Sequence, residues 1–496
     1  MKEYNLSRFG NFFRATELSL IHKLSQIAKN NKAKIYLTGG FLRDRLINAL
    51  NNQDSIALDF DFVVEGMKAT SLAQIIAETV SGNFVLLDDE FDTARVILKD
   101  SLQLDLAGPK TDDNTLNSRQ ADALKRDFSI NAIIWDPDRP DLLIDFTNGV
   151  DDLKEKRLRV IDDTAFTDDP LRMLRAFRLS CQLGFHITSE TIELIKLHAL
   201  KINAVAIERI NHEMFLIMNY FDSHKTIKKL ADTGLLELIY PDLKSTRTVP
   251  ANSYHHLNLF DHSLETYRQV EVNFASLEKY YQNRLLEPLT YNLSHLASTK
   301  LAGLLHDIGK PATWVIQENG RHSFYKHDSL GAKMVNEMGI EQKWPNHLIK
   351  YLVNLVKWHL RPGSLYANDA EPSQKAINRF YTSVGDHTPG LILLSLADLG
   401  ATCGEGFKEE ARGELRENLH RLLNGYSAFT EKQKYLRPLL DGNAIIGLLS
   451  IEPGPIVGSL ISELKEAQTN GEILKVSEAK AFIEDLYKKK YSSQPN

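Results

Sequence analysis

The stretch KIYLTGGFLRD (34–44), followed by DFDFVVEG (59–66), decides the fold. Ile35 and Leu37 alternate along a strand that runs into Gly39-Gly40. Leu42, Leu46 and Leu50 then recur at helical spacing, and residues 59–66 read as a second strand. Successive strand side chains point to opposite faces, so Asp59 and Asp61 share one face and Phe60 and Phe62 the other. Further on, ARVILK (94–99) and SLQLDLAG (101–108) read as two strands of a hairpin turning near Lys99-Asp100. There Leu102, Leu104 and Leu106 share one face and Asp105 lies opposite.

If these strands are neighbours, Asp59, Asp61 and Asp105 converge. Hard oxygen ligands of this kind suit Mg²⁺. Two such ions activate an attacking hydroxyl and neutralise a leaving pyrophosphate. Gly39-Gly40, at a strand-to-helix turn, lets backbone N–H groups approach phosphate, and Arg43 stands one turn further in. A lone D-x-D is more often a solvated strand face, and a lone Gly-Gly is mostly a turn. The order Gly-Gly, helix, D-x-D strand favours the chemical reading.

TGGFLRD (38–44) with DFDFVV (59–64) resembles the first motif of the class II tRNA nucleotidyltransferases and bacterial poly(A) polymerases. That resemblance implies a polymerase-β-like head and catalysis by Asp59, Asp61 and Asp105. KRDFSINA (125–132) is similar to the family's second motif, which implies ribose contacts from Arg126 and Asp127, with Asn131 beside them. DDPLRMLRAFRLS (168–180) resembles the family's E-D-x-x-R motif, with Asp168 in place of the usual Glu. It implies that Asp169 and Arg172 read the incoming base, with Arg175 joining the nucleotide-binding set. A helix would set Asp169 and Arg172 side by side. Their acceptor and donors match the amine and ring acceptors of C and A, which G and U lack. AIERINHEM (206–214) is similar to the neck motif; its Arg209 and Glu213 read as a helix-stabilising pair. Residues 439–473 resemble the family's tail, with EPGPIVG (452–458) as a loop between helices. The segment 107–125 is shorter than the family's flexible loop, and Lys110 stands where relatives carry Arg. Nucleotidyl transfer is therefore better supported than synthesis of the full CCA end.

A second constellation follows. LLHDIGK (304–310) sets His306 beside Asp307; His262 lies upstream in FDHSLET (260–266), and His327, His359 and Asp398 come after. Placed on separate helices, these side chains can meet in a bundle. A mixed His and Asp set suits Mn²⁺, Ni²⁺, Fe²⁺ or Mg²⁺. The pattern resembles the HD phosphohydrolases, which implies His262, His306, Asp307 and Asp398 as core ligands and His327 and His359 as a second metal position. His255, His256 and His322 read as non-ligands. In tRNA nucleotidyltransferases that carry such a domain it is linked to 2′,3′-cyclic phosphodiesterase, 2′-nucleotidase or phosphatase activity.

The whole chain of 496 residues is long enough for several cores. Its net charge of −6 argues against one broad basic surface, so RNA contact must come from local Lys and Arg. Lys225, Lys228, Lys229 and Lys488–Lys490 are candidates, though residues of this kind are more often a solvated face. Cys181 and Cys403 alone build no disulfide framework, which fits a reducing, cytoplasmic compartment and no disulfide-linked partner. Neither a signal-peptide core nor a membrane-length apolar run is visible.

The expected architecture is multidomain α+β: a nucleotidyltransferase head (1–150), a helical neck (151–250), an HD domain (251–405) and a helical tail (406–496). Residues 1–30 read as a helix, and LKSTRTVPANS (243–253) as a linker. The resemblance implies tRNA, CTP and ATP as partners and addition of CMP and AMP to the tRNA 3′ end. Alternatives are a CC-only or A-only enzyme, a poly(A) polymerase, or an HD phosphohydrolase whose head only binds RNA.

Overall fold

The computed structural model describes residues 1–6, 12–51, 59–99, 102–109, 118–252, 256–367, 371–404 and 408–491. Lys110, His255 and most of the short loop lie outside the described residues, as does Asp100 at the hairpin turn. The chain forms two compact units, Met1–Tyr220 with Lys225–Ile239, and Phe221–His224 with Tyr240–Asn496.

The first unit is built on an eight-stranded sheet. Its strands are β1 (Lys2–Asn5), β2 (Lys34–Thr38), β3 (Asp59–Glu65), β4 (Asn83–Asp88), β5 (Thr93–Ile97), β6 (Gln103–Ala107), β7 (Ile134–Trp135) and β8 (Leu142–Asp145), in the spatial order β1-β8-β7-β2-β3-β6-β5-β4. β3 and β6 run parallel, and Asp61 stands opposite Asp105 in their register. β5 and β6 form the expected antiparallel pair, with Arg95 opposite Asp105. Phe60 and Phe62 are buried on the other face of β3, where Phe60 stacks on Phe41 with ring centroids 4.1 Å apart. The burial of these rings fixes which face carries the carboxylates, because a one-residue slip would exchange the faces.

The N-terminus corrects the expected helix over residues 1–30. Lys2–Asn5 pairs antiparallel with Leu142–Asp145, and the helix spans only Ala15–Asn30. Its start is set by Glu17, whose side chain accepts from the Arg14 N–H at 3.0 Å. Beyond the sheet, a short parallel pair (Arg157–Leu158 with His186–Ile187) leads into helices Arg172–Leu183, Ser189–His198 and Ile207–Asn219.

The second unit is helical. Thr388–Ala401 is apolar on most of its surface, Ser395 and Asp398 excepted, and buried along almost its whole length, so it serves as the central helix. Leu259–Ser276, His295–Leu305 and Glu409–Tyr435 pack against it. The stretch expected to be a linker is not loose, since Leu243, Thr246 and Val249 are all buried and the Leu259 N–H donates to the Val249 carbonyl at 3.1 Å. Apolar residues at 243, 249 and 259 tie that segment down despite its polar composition. The tail helices Gly442–Leu449, Pro455–Thr469 and Val476–Lys490 share a small core around Ile445, Leu464 and Ile483. Cys181 and Cys403 form no disulfide, and no described helix is long and apolar enough to cross a membrane.

Candidate functional site

The head presents a cavity of about 390 Å³. Asp61, Asp105, Asp122, Arg126, Asp127, Asp169, Arg172, Arg175 and Arg209 line it. These residues come from the sheet, from the Ser118–Leu124 helix and the turn after it, and from the helices and a connecting turn of the neck.

Asp61 is set by the Gly-Gly turn. Its Oδ2 accepts from the Gly40 N–H at 3.0 Å. Gly39 has φ +75°, and a Cβ there would overlap the Asp61 carboxylate. The Gly40 N–H, expected to face phosphate, is thus already used to hold a carboxylate. Burial pushes the Asp61 carboxyl up; the Arg126 charge and the Gly40 N–H oppose that, and Asp105 adds to it. A half-buried carboxylate of this kind, with the exposed Asp59 on the same strand face, fits a divalent cation. Asp105 differs. Both its oxygens accept from Arg95, Nε to Oδ1 at 2.7 Å and Nη2 to Oδ2 at 2.9 Å. Asp59, Asp61 and Asp105 are not among the groups whose ligand atoms all lie within 4.8 Å of one another.

Arg43 is not a free phosphate clamp. It is buried, donating from Nε to Asp44 at 2.7 Å and from Nη1 to Asn131 at 2.9 Å. The helix turn points its guanidinium inward, where it braces Asn131. Asn131 in turn donates to Asp127 Oδ1 at 3.0 Å, and Arg175 grips Asp127 Oδ2 through Nε (3.1 Å) and Nη2 (2.7 Å). Burial would raise the Asp127 carboxyl, but the Arg175 charge and these hydrogen bonds hold it well below the usual range. Arg126 donates to the buried Asp122 at 2.9 Å.

Asp169 and Arg172 do not share a helix. Asp169 is the extended residue that ends the Ala165–Asp168 turn, and the next helix starts at Arg172. Pro170 breaks the helix between them, since the residue before a proline avoids helical geometry. Both side chains still line the one cavity. Asp169 Oδ2 pairs with Arg209 at 3.0 Å, and Arg172 donates to the Lys125 carbonyl at 3.0 Å. Arg209 therefore does not pair with Glu213, which is held by Arg178 at 2.6 Å. The i,i+4 spacing of Arg209 and Glu213 concealed a residue of the cavity wall.

In the second unit the six expected residues meet in one buried centre. His262 lies in the first turns of its helix, where Asn258 caps by accepting from the Asp261 N–H at 2.9 Å. His306 and His359 close the ends of helices His295–Leu305 and Asn346–Trp358, and His327 opens His327–Glu341. Asp398 comes from the central helix. His306, Asp307 and His262 form one potential ligand group; Asp307, His327 and His359 form another. Asp307 belongs to both: His306 Nε2 stands 3.1 Å from its Oδ2, and His327 Nε2 stands 3.2 Å from its Oδ1. Asp398 Oδ1 lies 3.1 Å from His262 Nε2.

The Nδ1 atoms of His306, His327 and His359 lie 2.9, 2.7 and 2.7 Å from the carbonyls of Gly303, Phe324 and Val356. A carbonyl only accepts, so each Nδ1 carries a proton and each ring turns its Nε2 toward the carboxylates, where a metal ion would take the place of any proton on that nitrogen. Burial opposes charge on Asp307, but His306 and Lys310 hold its carboxyl far below the usual range; Asp307 and Asp398 in turn raise His306 against its burial. This donor set fits divalent metal ions. Next to it a second cavity of about 410 Å³ is lined by Asp307, Lys310, His359, Asp398 and the apolar Leu360, Leu399, Leu415 and Leu419. Lys310, 2.6 Å from Asp307, was passed over in the sequence although it ends the LLHDIGK motif. His256 is exposed, and His322 packs edge-on against Trp314, outside both ligand groups.

Three families match the chain: the "Poly A polymerase head domain" over residues 35–159, the "Probable RNA and SrmB- binding site of polymerase A" over 184–246, and the "HD domain" over 259–399. An A-adding tRNA nucleotidyltransferase of Deinococcus radiodurans is 31% identical over 369 residues, covering 73% of this chain and 78% of that protein. A CC-adding tRNA nucleotidyltransferase of Thermus thermophilus is 27% identical over 455 residues, covering 90% and 92%. The fold matches a solved CCA-adding enzyme with CTP (TM-score 0.66, 21% identity, 98% of this chain and 99% of that one). It also matches the Thermotoga maritima CCA-adding enzyme complexed with tRNA (TM-score 0.64, 20% identity, 98% and 100%). Head geometry, motif order and kinship agree: the chain belongs to the class II tRNA nucleotidyltransferase and poly(A) polymerase family, and carries an HD domain.

Proposed function

We propose that this chain adds CMP and AMP units from CTP and ATP to the 3′ end of tRNA, without an RNA template, and releases pyrophosphate. The observation that carries the reading is a single cavity in which the Asp61 carboxylate, the Arg126–Asp127 pair and the Asp169–Arg172 turn face one another. The tRNA acceptor and the C and A units are supported by the relatives named as CC-adding and A-adding tRNA nucleotidyltransferases.

Asp59 and Asp61, with Asp105 beside them, would hold Mg²⁺, which when bound eases deprotonation of the RNA 3′-OH and neutralises charge on the triphosphate. The chain's own residues do the rest. Gly39 and Gly40 fix Asp61, so that the carboxylate is preorganised and loses little freedom on binding. Arg126 and Asp127 meet the ribose, Asp127 being kept ionised as an acceptor for a sugar hydroxyl. Asp169 accepts from the exocyclic amine of C or A, and Arg172 donates to the adjoining ring acceptor. The neck fixes this pair and so replaces a template strand. Head (1–150), neck (151–250), HD (251–405) and tail (406–496) would then divide chemistry, base reading, end cleaning and RNA contact.

A second activity is favoured by the buried HD centre. His262, His306, Asp307 and Asp398 would hold one divalent ion and His327 and His359, with Asp307, a second, with Mn²⁺, Ni²⁺, Fe²⁺ or Mg²⁺ as candidates. Bound there, such ions supply a hydroxide for attack on a phosphate ester. Hydrolysis of 2′,3′-cyclic or 2′-phosphate ends would restore the free 3′-OH that the head extends.

Both parts are tested with tRNA transcripts lacking CCA, CA or only the final A, each offered CTP, ATP, GTP and UTP. Addition of C and then A, with growth stopping, supports the reading. Addition of one base type marks a CC-only or A-only enzyme, and unlimited A addition marks a poly(A) polymerase. No addition alongside cyclic-phosphate hydrolysis would overturn the first activity and leave the second.

A further inference from the structure

Arg95, Asp105 and Asp61 stand in one row across β5, β6 and β3, since Arg95 is opposite Asp105 and Asp105 is opposite Asp61. Directly paired residues project from the same face of a sheet, about 5 Å apart from strand to strand. Thr93, two residues before Arg95 on the same face of β5, lines the head cavity, so this face looks into it. The middle member of the row, a candidate metal ligand, is fully gripped: the Arg95 fork satisfies both oxygens of Asp105.

Two properties of this pair bear on its role. Arg95 and Asp105 keep 35% and 32% of their side-chain surface exposed, so the pair is well screened and adds little to stability. A planar fork that fits a carboxylate also fits a phosphate. The partner of Arg95 can therefore be exchanged at small cost.

We propose that Arg95 is a positioning residue that withholds Asp105 from the divalent ion until a nucleoside triphosphate arrives, and then trades the carboxylate for a phosphate. The inference rests on the nucleotidyltransferase reading of the head. A metal–triphosphate complex brings a cation for Asp105 and an anion for Arg95 in one ligand, so the exchange conserves charge in the cavity. Before that arrival only Asp59 and Asp61 are available, and the site does not collect a full set of ions without substrate.

The test is Mn²⁺ binding to the full-length protein without nucleotide, followed by electron paramagnetic resonance. The HD centre contributes equally to every variant, so differences report the head. Arg95→Gln should bind head Mn²⁺ about fivefold more tightly than wild type, the scale of a screened charge pair. The double variant Arg95→Gln, Asp105→Asn should lose that gain. Arg95→Lys, which keeps the charge but not the fork, should fall between wild type and Arg95→Gln and guards against misfolding of the glutamine variant. In parallel, the KM for CTP should rise about tenfold in Arg95→Gln, the loss of one charge-assisted phosphate contact, with kcat changed less. Unchanged Mn²⁺ affinity in Arg95→Gln, or a gain that persists without Asp105, overturns the proposal. If Asp59→Asn, Asp61→Asn leaves Mn²⁺ binding as in wild type, the reading of the head itself fails instead.

Discussion

Asp169 is held by Arg209, Oδ2 accepting from Nη2 at 3.0 Å, so the turn proposed to read the base is anchored to the Ile207–Asn219 helix. The anchor aims one carboxylate oxygen, while Asp169 Oδ1 accepts from the Leu171 N–H at 3.2 Å. Asp169→Ala should relax discrimination of C and A against G and U by about 10- to 100-fold, the worth of a two-point base contact. Arg209→Ala should relax it less and raise KM. Incorporation of each of the four nucleotides measures both; a variant that slows all four equally contradicts the assignment.

Gly39 is the position where the fold and the chemistry are most tightly joined. Gly39→Ala forces a left-handed backbone on alanine and drives its Cβ into Asp61. The melting shift should be modest, equivalent to about 1–2 kcal/mol. The kcat for CTP incorporation should fall by about 100-fold or more, because the displaced group is the carboxylate proposed to hold the metal. Matched loss of stability and activity would show only a damaged fold.

The Asp127–Arg175 pair carries a pH signature. The folded carboxyl is depressed, so its stabilisation is complete above the ordinary carboxylate pKa of about 4 and is lost as pH falls through the lowered value. Arg175 is about a third exposed, so Arg175→Ala should cost only about 2 kcal/mol at pH 7. In urea unfolding, the gap from wild type should narrow below about pH 4. A gap that stays constant to pH 3 would contradict this account.

The HD centre turns on the shared Asp307. Its two oxygens face two different histidine groups, so Asp307→Ala should remove both metal equivalents, whereas His359→Ala should remove one. At metal near 100 times its Kd, wild type should gain about 2.7 kcal/mol, seen as a higher melting temperature that chelator reverses. Equal stoichiometry in the two variants would show that Asp307 does not bridge.

The carboxylate face of β3 was legible because alternation on one strand requires only local sequence, with Phe60 and Phe62 marking the buried side. The six HD residues were legible by motif order, each at or near a helix end that the caps define. What escaped was non-local. Lys2–Asn5 becomes a strand only through β8, which lies some 140 residues on. β4 gives no strand signal of alternation, since Phe84, Val85, Leu86 and Leu87 are all apolar and all exposed at the sheet edge. Arg209 read as the helix partner of Glu213, and Arg95 belonged to no motif, because their partners Asp169 and Asp105 are fixed by tertiary packing and strand register.

The measurement that bears most directly on the central claim compares two variants of the full chain, Asp59→Ala, Asp61→Ala in the head and His306→Ala, Asp307→Ala in the HD centre. Each is assayed for labelled CMP incorporation into tRNA lacking CCA and for hydrolysis of a 2′,3′-cyclic nucleotide. The account predicts that the head variant loses incorporation and keeps hydrolysis, and that the HD variant does the reverse. Incorporation that survives in the head variant, or vanishes with the HD centre alone, would contradict it.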